Sequence, residues 1–207
     1  MKRLLVLALV PLAALATSPG KVLEKLQKSW DEAQTYEAKF KQVLFAKRLG
    51  TRDETEGTIF VSKPGKLRWE SSTDGTVQLL NGNELKVIQK NKRRGTVVVD
   101  IYKDLKKVMD SKPLSFLSGK ARFTDLYKVK ILNETPEKVE MKFTPKHDSN
   151  ETLVAEIDKE SYLLRSLTSE TVDSRVRTEF SGTKTNVKLD DKIFEYKPAP
   201  TDVIHNN

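Results

Sequence analysis

From Tyr36 to the C-terminal tail, apolar and polar residues alternate in short runs, and this period of two constrains the fold more than any other feature of the sequence. Tyr36, Ala38, Phe40, Gln42 and Leu44 fall on one side of a long strand, because successive side chains of an extended chain point to opposite faces. Residues 57–62 and 67–71 read as two further strands joined by Pro64-Gly65, the pair a type II turn takes at its central positions. Residues 77–80 and 84–88 flank Asn81-Gly82, a strong short-range hairpin signal. Residues 96–102 are β-branched, and alternation returns in 127–132, 139–144, 153–158, 163–169, 176–180 and 193–196. About eleven strands result, mostly in sequential hairpins. Antiparallel strands with one apolar and one polar side predict a mainly β fold, one curved sheet or barrel with one wet face.

Helical spacing occurs in two places. Ser18-Pro19 supplies an N-cap and a first-turn proline, and Leu23, Leu26, Trp30 and Ala33 then recur on one side, predicting a helix over residues 19–34. A stripe that ends in a large aromatic packs on a sheet or lines a cavity, and the two readings are compatible. Residues 104–109 and 113–117 also read as helical, with Gly119 stopping the second. This insertion interrupts the strands, and helices are expected to cover what a curved sheet leaves open. The 207 residues contain no low-complexity linker, so one domain is expected over 17–207.

The first sixteen residues carry Lys2 and Arg3, an apolar run from Leu4, and Ala14 and Ala16 around Leu15. That pattern is a secretory signal peptide with cleavage expected after Ala16, the apolar run being short for a membrane span and broken by Pro11. Without cysteine there is no site for a lipid anchor at the cleavage point, and stability outside the cytoplasm must come from the core rather than from disulfides. The formal charge of +8 becomes +6 once Lys2 and Arg3 are removed (8 − 2), a surplus compatible with anionic lipid headgroups or acidic partners.

Chemistry is harder to find. His147 lies in the polar loop PKHDSNE and His205 in the terminal IHNN, without metal-ligand spacing. The run His147, Asp148, Ser149 holds the residue types of a catalytic triad, but neighbours in sequence cannot line up as nucleophile, base and orienter. There is no G-x-S-x-G, phosphate loop or dinucleotide fingerprint, so neither an enzyme nor a cofactor is expected. The basic turn KNKRRG over 90–95 has no interleaved aromatics to stack bases, which argues against nucleic acid.

Several landmarks stand in a fixed order. The first strand carries F-x-Q at Phe40 and Gln42. Gly57 opens a run through Lys63, Pro64, Leu67 and Trp69 of the form G-x-(apolar)3-x-[RK]-P-x-x-(apolar)-x-W. Gly82 marks a turn, Pro113, Leu114, Leu117 and Gly119 make P-(apolar)-x-x-(apolar)-x-G, and Asp190, Phe194, Tyr196, Pro198 and Pro200 close the tail. Across residues 22–203 this set resembles the LolA family of periplasmic outer-membrane lipoprotein carriers.

The resemblance implies an incomplete antiparallel β-barrel of about eleven strands with a helical lid over an apolar cavity that takes lipoprotein acyl chains. It also implies a monomeric periplasmic carrier, loaded with acylated lipoproteins by an inner-membrane ABC-type lipoprotein-releasing transporter and emptied by an outer-membrane lipoprotein receptor. By the same resemblance Trp30, Phe40, Trp69, Leu114, Phe116 and Leu117 fall on lid or cavity positions, and Pro64 and Leu67 where the family docks on its transporter. Lys63 stands where the family carries an arginine that bonds lid carbonyls, so a looser latch is expected here. Lys86 and Ile88 replace family aromatics. Two other readings share the half-barrel: a lipid- or lipoprotein-sensing periplasmic signalling module, which usually carries a second domain, and the membrane-anchored receptor, which needs an anchoring cysteine.

Overall fold

The computed structural model describes residues 18–90, 95–103, 122–146 and 151–207. The expected signal peptide, the helical insertion with Leu114, Phe116, Leu117 and Gly119, residues 91–94 of the basic turn, and His147 lie outside the described residues.

Twelve strands among the described residues share one sheet: β1 (Thr35–Ala46), β2 (Thr51–Ser62), β3 (Lys66–Ser71), β4 (Val77–Asn81), β5 (Glu84–Lys90), β6 (Val97–Tyr102), β7 (Tyr127–Glu134), β8 (Lys138–Pro145), β9 (Thr152–Asp158), β10 (Leu164–Glu170), β11 (Ser174–Thr185) and β12 (Val203–Asn206). Their order is β12-β6-β5-β4-β3-β2-β1-β11-β10-β9-β8-β7. Two meanders, β1 to β6 and β7 to β11, are therefore joined where β1 meets β11, with Phe40 opposite Phe180. The sheet stays open, with β12 and β7 as its edges. This is the expected unclosed, mostly antiparallel architecture, except that β12, unforeseen in the sequence, runs parallel to β6.

Local chemistry sets the turns. Gly65 takes φ +73° and Gly82 φ +60°, backbone angles that glycine adopts without a Cβ clash. Asn81 pairs with Glu84, so the β4–β5 loop is Gly82-Asn83, one residue later than Asn81-Gly82 suggested.

Opposite sides of the sheet hold separate cores. On the inner side, α1 (Pro19–Glu32) lays Val22, Leu23, Leu26 and Trp30 against Phe40, Ile59, Leu67, Leu80, Met141 and Phe143. The short helix α2 (Phe123–Leu126) adds Phe123, whose N–H donates to the Gln27 side-chain oxygen at 2.9 Å. Ser18 caps α1 through its carbonyl, which accepts from Lys21 and Val22, while its hydroxyl makes no cap bond.

The outer side departs from expectation twice. Residues 193–196 are not a strand: Asp191–Phe194 form a 3-10 turn, stabilised by the Asp190 carboxylate accepting from the Lys192 N–H at 3.0 Å. Nor is the outer face of β3 to β6 wet. Phe194 is buried, the turn packs on β3 and β4, and Tyr196 packs against an outer cluster of Leu79, Ile88 and Val99. The tail is tied down by Arg68 donating to the Ile193 carbonyl at 3.0 Å and by Lys66 beside Asp191 at 3.0 Å.

Candidate ligand-binding face

The inner apolar face gathers three of the expected cavity residues into one cluster: Trp30 from α1, Phe40 from β1 and Trp69 from β3. Phe40 and Trp69 meet at 4.3 Å between ring centroids, tilted by 37°, and Trp30 meets Tyr36 edge-on at 5.6 Å. A glycine makes the first contact possible. A Cβ on Gly57 would lie 1.9 Å from the Glu70 carbonyl oxygen and 2.8 Å from the Phe40 ring, so only hydrogen fits beneath that ring.

Lys63 follows β2 and reaches the last turn of α1. Its ammonium donates to the Trp30 carbonyl, one of the carbonyls that a helix end leaves without an intrahelical partner, and lies 4.4 Å from the centroid of the Trp30 ring. Burial lowers the Lys63 pKa to about 8, with the nearby Asp31 carboxylate opposing that shift. The hairpin turn and the helix are thus joined by one cation.

Pro64 and Leu67 separate. Pro64 is exposed on the turn, whereas Leu67 is 0% exposed, between Val61 of β2 and Leu80 of β4. The parity of Leu67 in β3 points its side chain into the core, away from the surface that Pro64 shares with solvent.

Other anchors of α1 had no sequence signal strong enough to single them out. The Ser29 hydroxyl donates to the Ser161 carbonyl at 2.9 Å, and the Lys25 ammonium donates to the Tyr162 hydroxyl at 3.0 Å while lying 4.9 Å from that ring's centroid. Both partners lie in the β9–β10 turn, which Asp158 shapes by accepting from the Ser161 N–H at 2.8 Å. That bond, with Arg165, lowers the Asp158 pKa to about 2 against a smaller opposing effect of burial. Residues 159–162 fall between the expected strands 153–158 and 163–169, but the role of this turn as a seat for the helix depends on contacts more than 130 positions away in the chain.

The inner face changes character along β1. Tyr36, Ala38 and Phe40 are buried, whereas Gln42 and Leu44 are half-buried, and the Gln42 amide donates to the Thr178 hydroxyl at 3.0 Å. A cleft of about 820 Å³ on the sheet is lined by Lys39, Lys41, Glu56, Phe60, Glu70 and Glu179 among others, too charged a wall for hydrocarbon. Among the described residues no group of three His, Asp or Glu side chains could hold a metal ion. His205 instead pairs with Asp100 at 2.9 Å across β12 and β6. No helix among the described residues is long and apolar enough to cross a membrane.

Comparison with known proteins agrees with this architecture. The profile of the family described as "Outer membrane lipoprotein carrier protein LolA" matches residues 31–197. A protein of Coxiella burnetii named outer-membrane lipoprotein carrier protein is 24% identical over 201 residues, covering 95% of this chain and 92% of its own length. One of the same name from Methylococcus capsulatus is 24% identical over 185 residues, covering 88% and 86%. An uncharacterized conserved protein of Thermus thermophilus superposes with a TM-score of 0.56 at 9% identity, over 92% of this chain and 100% of its own, a likeness of fold alone.

Proposed function

This chain belongs to the LolA family of outer membrane lipoprotein carrier proteins, and from that premise we propose that it is a periplasmic carrier holding lipoprotein acyl chains between the inner face of its sheet and a movable helical cover. The observation that carries the reading is the join between α1 and the sheet: an apolar helix face rests on an apolar inner face and is fastened at its margins by a few polar contacts, from Lys63, Ser29, Lys25 and Gln27. Such a cover can lift without breaking a sheet ladder. Trp30, Phe40 and Trp69 would line the acyl site, and Pro64 is the exposed residue left to meet the transporter.

Magnitudes require a movable cover. Each buried methylene contributes about 0.8 kcal/mol, so one sixteen-carbon chain contributes on the order of 12 kcal/mol. Three wholly buried chains would pass the practical ceiling of about 20 kcal/mol for non-covalent affinity, and release would not occur. Partial burial with a cover near balance permits both capture and release. The carrier would take acylated lipoproteins from an inner-membrane ABC-type transporter and pass them to an outer-membrane receptor, without catalysis.

The test is to purify the mature protein from the envelope fraction and identify what leaves with it by mass spectrometry. Acylated lipoprotein peptides in stoichiometric amount are expected. An empty protein, or one holding only phospholipid, would reject the carrier reading.

A further inference from the structure

Two hairpin tips stand at the end of the sheet away from α1, and they are fastened to each other. The Lys47 N–H donates to the Asp173 carbonyl at 2.8 Å, the Lys47 ammonium lies 2.7 Å from Glu170, and Arg48 lies 2.6 Å from Asp173. The β1–β2 tip and the β10–β11 tip therefore form one rigid knob. At its summit Leu49 is 78% exposed and Val172 is 72% exposed, the two most exposed large apolar side chains among the described residues. Phe45, also exposed, follows on β1.

Such exposure is costly in water, and it goes well beyond that of the other exposed aliphatic residues, of which Leu132 at 47% comes next. The neighbouring charges are Lys47, Arg48, Arg52 and Arg175 against Glu170, Asp173, Asp53 and Glu54. Locally these cancel, so the knob offers an apolar point in a neutral, zwitterionic collar, on a protein whose formal charge of +8 remains positive once Lys2 and Arg3 are removed. That combination fits a bilayer surface: aliphatic tips enter the acyl boundary, the collar stays among headgroups, and the net positive charge draws the protein to anionic lipid. A protein partner fits less well, because two aliphatic tips on a convex knob fall far short of the roughly 800 Å² that each side of a stable interface buries.

Location adds a separate argument. The inner-face positions nearest the knob, Leu44 and its neighbour Val176, are only half-buried, whereas those nearest α1 are closed. We propose that the Leu49–Val172 knob is a shallow membrane-docking site that brings this end of the inner face to an anionic bilayer surface. The role assigned to this end rests on the carrier reading; the docking itself does not.

The experiment is co-sedimentation of the mature protein with vesicles of phosphatidylcholine alone and of phosphatidylcholine mixed with phosphatidylglycerol. Weak binding to both is expected, stronger with phosphatidylglycerol and with only that increment lost at high salt. Leu49→Ser with Val172→Ser should weaken binding roughly tenfold or more on both vesicles, while Leu132→Ser, an exposed apolar residue on the β7 edge, leaves it unchanged. Equal thermal melts of the variants exclude misfolding. Failure of the wild type to sediment with either vesicle, or unaltered binding by the double variant, overturns the proposal, as does binding that needs a reconstituted transporter in the bilayer. Acylated peptides measured in the same preparation report on the carrier reading independently, so either idea can fail alone.

Discussion

The ammonium of Lys63 sits on the Trp30 carbonyl and beside the Trp30 ring, yet its pKa falls from 10.5 to about 8 because burial outweighs these contacts and the pull of Asp31. A depressed lysine pKa means that the closed protein holds the proton less tightly than the unfolded chain does. Between about pH 8 and 10.5 the unfolded state therefore binds more protons, and stability rises with pH across that window. Arginine does not titrate there, so urea unfolding of the wild type should gain on Lys63→Arg between those values and run parallel to it below about pH 8. Parallel curves throughout would show that Lys63 is solvated and fastens nothing. Gly57 gives a second residue-scale test. With a Cβ at 1.9 Å from the Glu70 oxygen, Gly57→Ala should cost roughly 2–4 kcal/mol in denaturant unfolding. Both residues were legible in the sequence as parts of a hairpin motif. What sequence did not disclose was that Phe40 caps Gly57, since that contact is made across strands.

Elements were legible where alternation and turn chemistry agreed. β1 to β11 lie close to where period two places them; β6 starts one residue later than expected, and the largest departures are β2, which starts at Thr51 rather than Gly57, and β11, which runs on to Thr185, where the ladder continues beyond the apolar positions. The tail follows a different local rule. Ile193, Phe194 and Tyr196 look like strand residues, but the Asp190 carboxylate takes up the Lys192 N–H and bends the chain into a 3-10 turn. β12 escaped notice for the opposite reason: its residues are exposed, and no apolar face marks the period. Function of the tail follows from packing. Phe194 is 1% exposed where the turn meets β3 and β4, so Phe194→Ala should destabilise the protein by about 3–5 kcal/mol. Hydrogen exchange should localise the loss to β3 through β6, leaving β8 through β10 protected. A uniform loss of protection would mean that the tail supports the whole sheet and not one half of it.

At the scale of the molecule, the decisive pairing joins β1 to β11, strands far apart in the chain, and it merges the two meanders into one sheet. Hairpins are local and can be read in order; this pairing cannot, because no turn signal links two strands so far apart in the chain. The same pairing brings the β9–β10 turn to α1, so the helix is seated at Ser161 and Tyr162 on one side and at Lys63 on the other. If the helix is the moving cover, tying it to one seat must stop loading. The chain has no cysteine, so Ser29→Cys with Ser161→Cys creates the only two thiols in the protein, at positions whose hydroxyl and carbonyl lie 2.9 Å apart. Joined by a short bismaleimide, this variant should lose uptake of an acylated peptide, while the same protein blocked with a monofunctional maleimide keeps it. Serine at position 29 contributes one surface hydrogen bond worth about 1 kcal/mol, so its loss alone leaves the fold intact. Unchanged uptake after cross-linking would make α1 a fixed wall, and access to the inner face would then have to lie at the end that carries Leu44 and Val176.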